Sequence, residues 1–302
     1  MSVIEAIIQG IVQGLTEFLP VSSSGHLTIV QHFFGKGESN LFFDVMLHLG
    51  TLVAVCVFYR KLIWRLIKEL FSTIGDIFKG KFSWKNMSHD RIMLIMVIIA
   101  LLPLFLLFLP IPGTDMQLKD LADLFTLPKY FIVVGISLLA TSILLFIGDR
   151  CSKKTKNPKD NFTIGDSIIV GLVQCCAAIF SGLSRSGSTL SVAQMRKVDR
   201  EKAFDYTFIM SIPSIIAAAL LEFVELKKEG TENVEILPVV VGIITACIVG
   251  YLALILFKWL LKTNKMIIFI IYTAVVGIFV IVISILEMTN VAGVTSLVNL
   301  SI

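Results

Sequence analysis

Apolar residues along this chain gather into stretches of about 20, separated by short charged runs, the length at which an α-helix crosses a hydrocarbon core of roughly 30 Å. Six stretches read as full crossings: 42–59, 91–112, 129–148, 203–222, 236–256 and 266–286. Two others begin as apolar helices but break too soon. The stretch 3–30 is interrupted by PVSSSGH, and 165–190 by SGLSRSGST. Irregular backbone at membrane depth survives only when it is buried in protein or lines a wet cavity, so both stretches are expected to be re-entrant.

Composition adds to this picture. Of 302 residues, 56% are hydrophobic and 16% charged, against about 25% charged in soluble domains, so the chain is an integral membrane protein and a soluble enzyme is excluded. The apolar runs are long and continuous, which excludes a β-barrel. The net charge of +4 reports topology, and nucleic acid is not an expected partner. The five cysteines form no CxxC pair and no metal spacing, and the N-terminus lacks the pattern of a removable signal peptide.

The basic residues orient the helices. Loops 60–91, 149–160, 190–202 and 257–265 carry 20 of the 26 Lys and Arg, and the alternate segments carry five. The remaining one, Arg185, falls at membrane depth. The positive-inside rule puts the rich loops in the cytoplasm and both termini outside, in a plasma membrane. The first broken stretch then enters from outside and the second from the cytoplasm.

That opposition predicts an inverted repeat, and an internal echo supports it. Gly10, Val12 and Gln13 recur as Gly171, Val173 and Gln174, Phe43-Asp44 recurs as Phe204-Asp205, and Ser23 falls opposite Ser184, all displaced by 161 residues. The expected fold is an all-α polytopic membrane protein, six transmembrane helices plus two re-entrant helical hairpins in an inverted-topology repeat. One membrane domain, 1–302, divides into a first repeat of about 1–150 and a second of about 160–302, with the two broken tips meeting near the midplane. A homo-oligomer is compatible with this architecture.

The polar residues left inside the apolar stretches carry the candidate chemistry. Glu5, Gln9, Gln13 and Glu17 recur at steps of four and share one helical face, which must point at protein or a cavity. Glu5 and Gln9 read as interhelical hydrogen-bonding groups. Glu17, just before PVSSSGH, reads as a ligand for a hard divalent cation, Mg²⁺ or Ca²⁺, with Gln13 beside it. Ser22, Ser23 and Ser24 offer hydroxyls with an imidazole, His26, three residues after Ser23; the competing reading is a serine-rich helix cap. His32, His48 and His89 lack such surroundings and read as structural. In the second tip, Ser184, Arg185 and Thr189 put a guanidinium among hydroxyls, a set suited to phosphate oxygens; the competing reading makes Arg185 a buried counter-ion for Glu17 or Asp205. Asp44 and Asp205, at matching repeat positions, read as structural pins, with metal ligation as the alternative.

At these residues the chain resembles a known family. QGLTEFLPVSSSGH and GLSRSGST are similar to the two signature motifs of the undecaprenyl-pyrophosphate phosphatases, the bacitracin-resistance BacA/UppP family, and the similarity spans the chain. It implies removal of the terminal phosphate of undecaprenyl pyrophosphate on the outer face, regenerating the lipid carrier of cell-wall synthesis. Its (E/Q)xxxE element falls on Gln13 and Glu17, its hydroxyl and imidazole on Ser23 and His26, and its second motif on Ser184, Arg185 and Thr189. Two positions qualify this: Gln13, which the pattern permits, offers an amide oxygen but no charge to a metal, and Ser181 stands where the second motif has proline. Either Ser23 or His26 is then the nucleophile. A lipid flippase or small-anion transporter shares the architecture but has no need of the Ser-His pair.

Overall fold

The computed structural model describes residues 2–34, 41–229 and 236–289, and among them every regular element is helical. The helices are α1 (Val3–Phe18), α2 (Ser23–Phe34), α3 (Leu41–Phe58), α4 (Arg60–Phe78), α5 (His89–Leu101), α6 (Asp120–Thr126), α7 (Phe131–Lys154), α8 (Ile164–Ile179), α9 (Arg185–Met195), α10 (Arg200–Glu229), α11 (Ile236–Lys262) and α12 (Ile267–Met288). Five spans are long and apolar enough to cross a membrane: His89–Phe108, Phe131–Lys154, Arg200–Leu221, Ile236–Lys262 and Ile267–Met288. A sixth arises if α3 and α4, bent by 84° at their junction, count as one. Both chain ends, residue 1 and 290–302, and segments 35–40 and 230–235 lie outside the described residues.

Two sequence expectations change in detail. The basic segment 60–91 is not simply a loop, because Arg60–Phe78 forms α4. Trp64, Phe71, Ile74 and Phe78 are exposed along one stripe of α4, while its Leu66 and Thr73 are buried against the protein. The charge count emphasised its lysines and obscured that period. The stretch 91–112 is α-helical only to Leu101 and continues as a 3₁₀ turn over Leu102–Phe108, where Pro103 lacks the N–H that an α-helix needs.

The breaks at 19–22 and 180–184 have local causes. Pro20 forces Leu19 into extended backbone, which ends α1, and Ser22 then turns through a positive φ of 73° before α2 begins. In the second break Phe180 is extended and Gly182 adopts φ +97°. Helices α1 and α8 have the same length, 16 residues, and start 161 positions apart. Both open with a capping box, Ser2 with Glu5 and Thr163 with Asp166.

The two breaks pack on each other. A methyl group added at Gly25 would lie 2.8 Å from Gly182 Cα, and one at Gly187 would lie 3.1 Å from Pro20 Cβ. The Thr28 and Ser181 hydroxyls are 3.3 Å apart, and Ser186 donates to Leu19 O at 3.4 Å. Thr141 of α7 clamps the second break, accepting from Ser184 N–H at 2.9 Å. Charge locks hold the helix ends farther away: the fully buried Asp166 accepts from Lys159 and from Arg196 at 2.7 Å, and Asp149 pairs with Lys153 and Arg200. Asp205 accepts from Tyr59 and Lys258, which is the pinning role expected of it.

Candidate active site

Where the breaks meet, the last turn of α1 faces the first turn of α9. Glu17 projects from the α1 face that also carries Gln13, and both are buried. Its Oε2 accepts from Gln13 Nε2 at 3.0 Å and from Ser23 Oγ at 2.9 Å. Its Oε1 accepts from Arg185 Nη2, an ion pair across 168 residues of sequence. The Glu17 side chain is 3% exposed and Arg185 27%, so the carboxylate is sealed while the guanidinium reaches the cavity.

That cavity has a volume of about 210 Å³ and is walled by Glu17, Ser22, Ser23, Ser24, Ser184 and Arg185, with Thr16, Ser186 and His48 completing its polar lining. Sequence reasoning therefore identified most of the polar wall. Ser184 also caps α9, its Oγ accepting from Gly187 N–H at 3.1 Å, and Ser22 caps α2 by accepting from Gly25 N–H at 3.3 Å. Thr189 is fully buried and donates to Arg185 O at 2.8 Å, so its hydroxyl braces the turn that carries the guanidinium.

His26 is not among the residues lining that cavity. Its Nδ1 meets Ser22 O at 2.7 Å, and because a carbonyl only accepts, Nδ1 carries the hydrogen. Its Nε2 lies 2.7 Å from the Tyr272 hydroxyl of α12, on which the ring stacks. The serine-rich helix cap and a histidine bonded to a neighbour are thus both present. Sequence reasoning passed over His48, whose Nε2 lies 3.7 Å from Glu17 Oε2. The available signal was an imidazole within an apolar crossing, one turn after Asp44. His32 and His89 are partnered elsewhere, by Glu287 at 2.8 Å and by Asn161 at 2.9 Å.

Among the described residues no three His, Cys, Asp or Glu gather into a metal-binding group. One orphan stands out at the site: the Oε1 of Gln13, buried and without a hydrogen-bond partner. A carboxylate, a carboxamide oxygen and a serine hydroxyl are hard donors, a set that fits a divalent cation whose remaining ligands come from phosphate and water.

A second cavity of about 300 Å³ adjoins the first and shares Ala178, Arg185 and Ala218 with it. Its other walls are mainly apolar, among them Leu104, Phe105, Phe108, Ala217 and Leu221. One arginine therefore borders both a hydroxyl-lined chamber and a greasy one.

Comparison with known proteins accords with this geometry. Residues 6–279 match the family described as bacitracin resistance protein BacA. The chain is 40% identical over 286 residues to an undecaprenyl-diphosphatase of Methanobrevibacter smithii, covering 93% of this chain and 97% of that protein. It is 37% identical over 282 residues to an undecaprenyl-diphosphatase of Treponema denticola, covering 92% and 96%. An undecaprenyl-diphosphatase 4 of Bacillus cereus is 34% identical over 280 residues, covering 93% and 96%. A match this extensive, with both broken tips inside it, shows that the chain belongs to the bacitracin resistance protein BacA family.

Proposed function

We infer that this protein hydrolyses undecaprenyl diphosphate to undecaprenyl phosphate and inorganic phosphate, recycling the lipid carrier of cell-wall synthesis and so opposing bacitracin. The observation that carries the reading is the convergence of Glu17, Ser23 and Arg185 at the wall of one cavity. The diphosphate occupies the polar chamber. The prenyl chain leaves through the adjoining apolar cavity into lipid, and Arg185 lies at the junction of head and tail.

In the chemical step Arg185 turns from Glu17 to the transferring phosphoryl, where its planar fork meets the oxygens on which charge develops. Ser23 Oγ, already donating to Glu17 at 2.9 Å, attacks the terminal phosphorus and passes its proton to that carboxylate. The lipid monophosphate leaves, and water cleaves the resulting phosphoserine. Glu17 and the orphaned oxygen of Gln13 would hold a Mg²⁺ or Ca²⁺, which when bound would offset the diphosphate charge. His26 sits beyond the cavity wall and holds the turn at Ser22. In the second reading His26 itself attacks and forms a phosphohistidine, which requires its ring to leave Tyr272.

The equal lengths and starts of α1 and α8, together with the charge count, support six crossings and two re-entrant hairpins in inverted repeats divided near residue 155. On that topology both termini and the mouth of the site face outward from the plasma membrane. The deciding experiment is phosphate release from a prenyl diphosphate by purified protein, with and without EDTA. Release that EDTA abolishes is expected; no release with any divalent ion would overturn the reading.

A further inference from the structure

His48 is the polar group of the chamber that lies outside both sequence motifs. Its Nδ1 lies 2.8 Å from Asp44 O, and because that carbonyl only accepts, Nδ1 must donate. Nε2 then faces the chamber 3.7 Å from Glu17 Oε2, an oxygen that also accepts from Gln13 and Ser23. That separation is too long for a hydrogen bond between the two atoms and leaves room for an ion shared by them. The separation is within a few tenths of an ångström of that between two ligands about 2.1 Å from a common ion at a tetrahedral angle, about 3.4 Å. The carbonyl contact at Nδ1 is the outer-shell bond that fixes ring orientation in histidine ligands. Gln13 Oε1, buried and partnerless on the same helical face, is a further oxygen donor beside Glu17.

We propose that His48 is a ligand of the divalent cation, through Nε2 and beside Glu17, and that its nitrogen sets the metal preference of this protein. Oxygen-only sites favour Mg²⁺ and Ca²⁺, whereas an imidazole shifts the balance toward first-row ions such as Mn²⁺. The inference rests on the metal-assisted reading above and adds a ligand and a selectivity to it.

The test uses purified full-length protein, stripped with chelator and loaded with Mn²⁺ alone, without substrate. Pulsed electron paramagnetic resonance of the bound ion reads directly whether an imidazole ¹⁴N is coordinated. Coupling is expected in the wild type and in His26→Ala, and is expected to vanish in His48→Gln. Equilibrium titration should show Mn²⁺ binding weakened by about 10-fold or more in His48→Gln, with Ca²⁺ binding changed by less than about threefold. Absence of ¹⁴N coupling in wild-type protein overturns the proposal without reference to any variant. So does coupling that survives in His48→Gln, or a Ca²⁺ loss equal to the Mn²⁺ loss. Phosphate release measured in parallel separates the two claims: hydrolysis without nitrogen coupling sinks the His48 ligand alone, and nitrogen coupling without hydrolysis sinks the phosphatase reading alone.

Discussion

Replacing Arg185 separates two roles that the ion pair with Glu17 combines. Arg185→Ala strands a carboxylate that is 3% exposed, and breaking a buried pair in this way costs about 3–5 kcal/mol. Arg185 is itself 27% exposed and water reaches its side of the pair, so the lower end, about 3 kcal/mol, is the better expectation. That corresponds to a fall on the order of 10 °C in melting temperature in detergent. Adding Glu17→Gln to Arg185→Ala removes the stranded charge while leaving Ser23 an acceptor, so most of the lost stability should return. Arg185→Lys keeps a cation near Glu17 and should melt within a few degrees of wild type. It lacks the planar fork, however, and phosphate release from a prenyl diphosphate should fall about 10²–10³-fold. Thermal unfolding and phosphate release on the same preparations decide the matter. If Arg185→Lys loses less than about threefold in rate, the residue is a counter-ion and the mechanism fails. If Arg185→Ala melts like wild type, the energetics assigned to the pair are wrong.

Gly182→Ala should be among the most damaging small substitutions, since the new methyl would lie 2.5 Å from Val134 O on a backbone with φ +97°; a loss of about 1–3 kcal/mol or more is expected in thermal unfolding, and an unaltered melt would contradict the packing of the two breaks. Ala218→Phe fills the junction between the polar and apolar cavities and should raise KM for a long prenyl diphosphate by about tenfold or more; an unchanged KM would move the tail elsewhere. In a cysteine-free background, a single cysteine at Lys119 should react with an impermeant thiol reagent in intact cells and one at Lys154 should not, and the reverse pattern would invert the topology.

Sequence periodicity carried most of the architecture, because crossings are dictated by bilayer thickness and breaks by residues such as Pro20 and Gly182 whose backbone limits are intrinsic. Helix α4 was less visible, since its apolar stripe, Trp64 through Phe78, is interleaved with Arg65 and Lys68, which the charge count assigned to a loop. In the site, Glu17, Ser23, Ser184 and Arg185 were legible because polar groups are costly in apolar surroundings and so announce themselves. Which of them touch was expected only from the echo at an offset of 161, and it is the packing of the two breaks that brings Glu17 and Arg185 together across 168 positions. His48 and Tyr272 were not identified, since a lone imidazole or phenol on an otherwise apolar helix is an ordinary packing residue until a partner from another element arrives. His26 shows the same limit: its spacing from Ser23 is local and visible in the sequence, whereas its contact with Tyr272 joins elements 246 residues apart.

The pairing of Glu17 with Arg185 also bears on how the molecule is made. A ribosome delivers the acidic tip first, and its cationic complement follows only 168 residues later, a delay of about 10–30 s at ordinary elongation rates. Throughout that interval the nascent first half holds an unmatched carboxylate with no basic tip to receive it. It must therefore stay near water, remain protonated, or lean on a transient helper. The chamber cannot close until α9 and the α10 residues Ile215 and Ala218 have been synthesised and docked, so the candidate site forms late in membrane assembly although its first helix opens the chain.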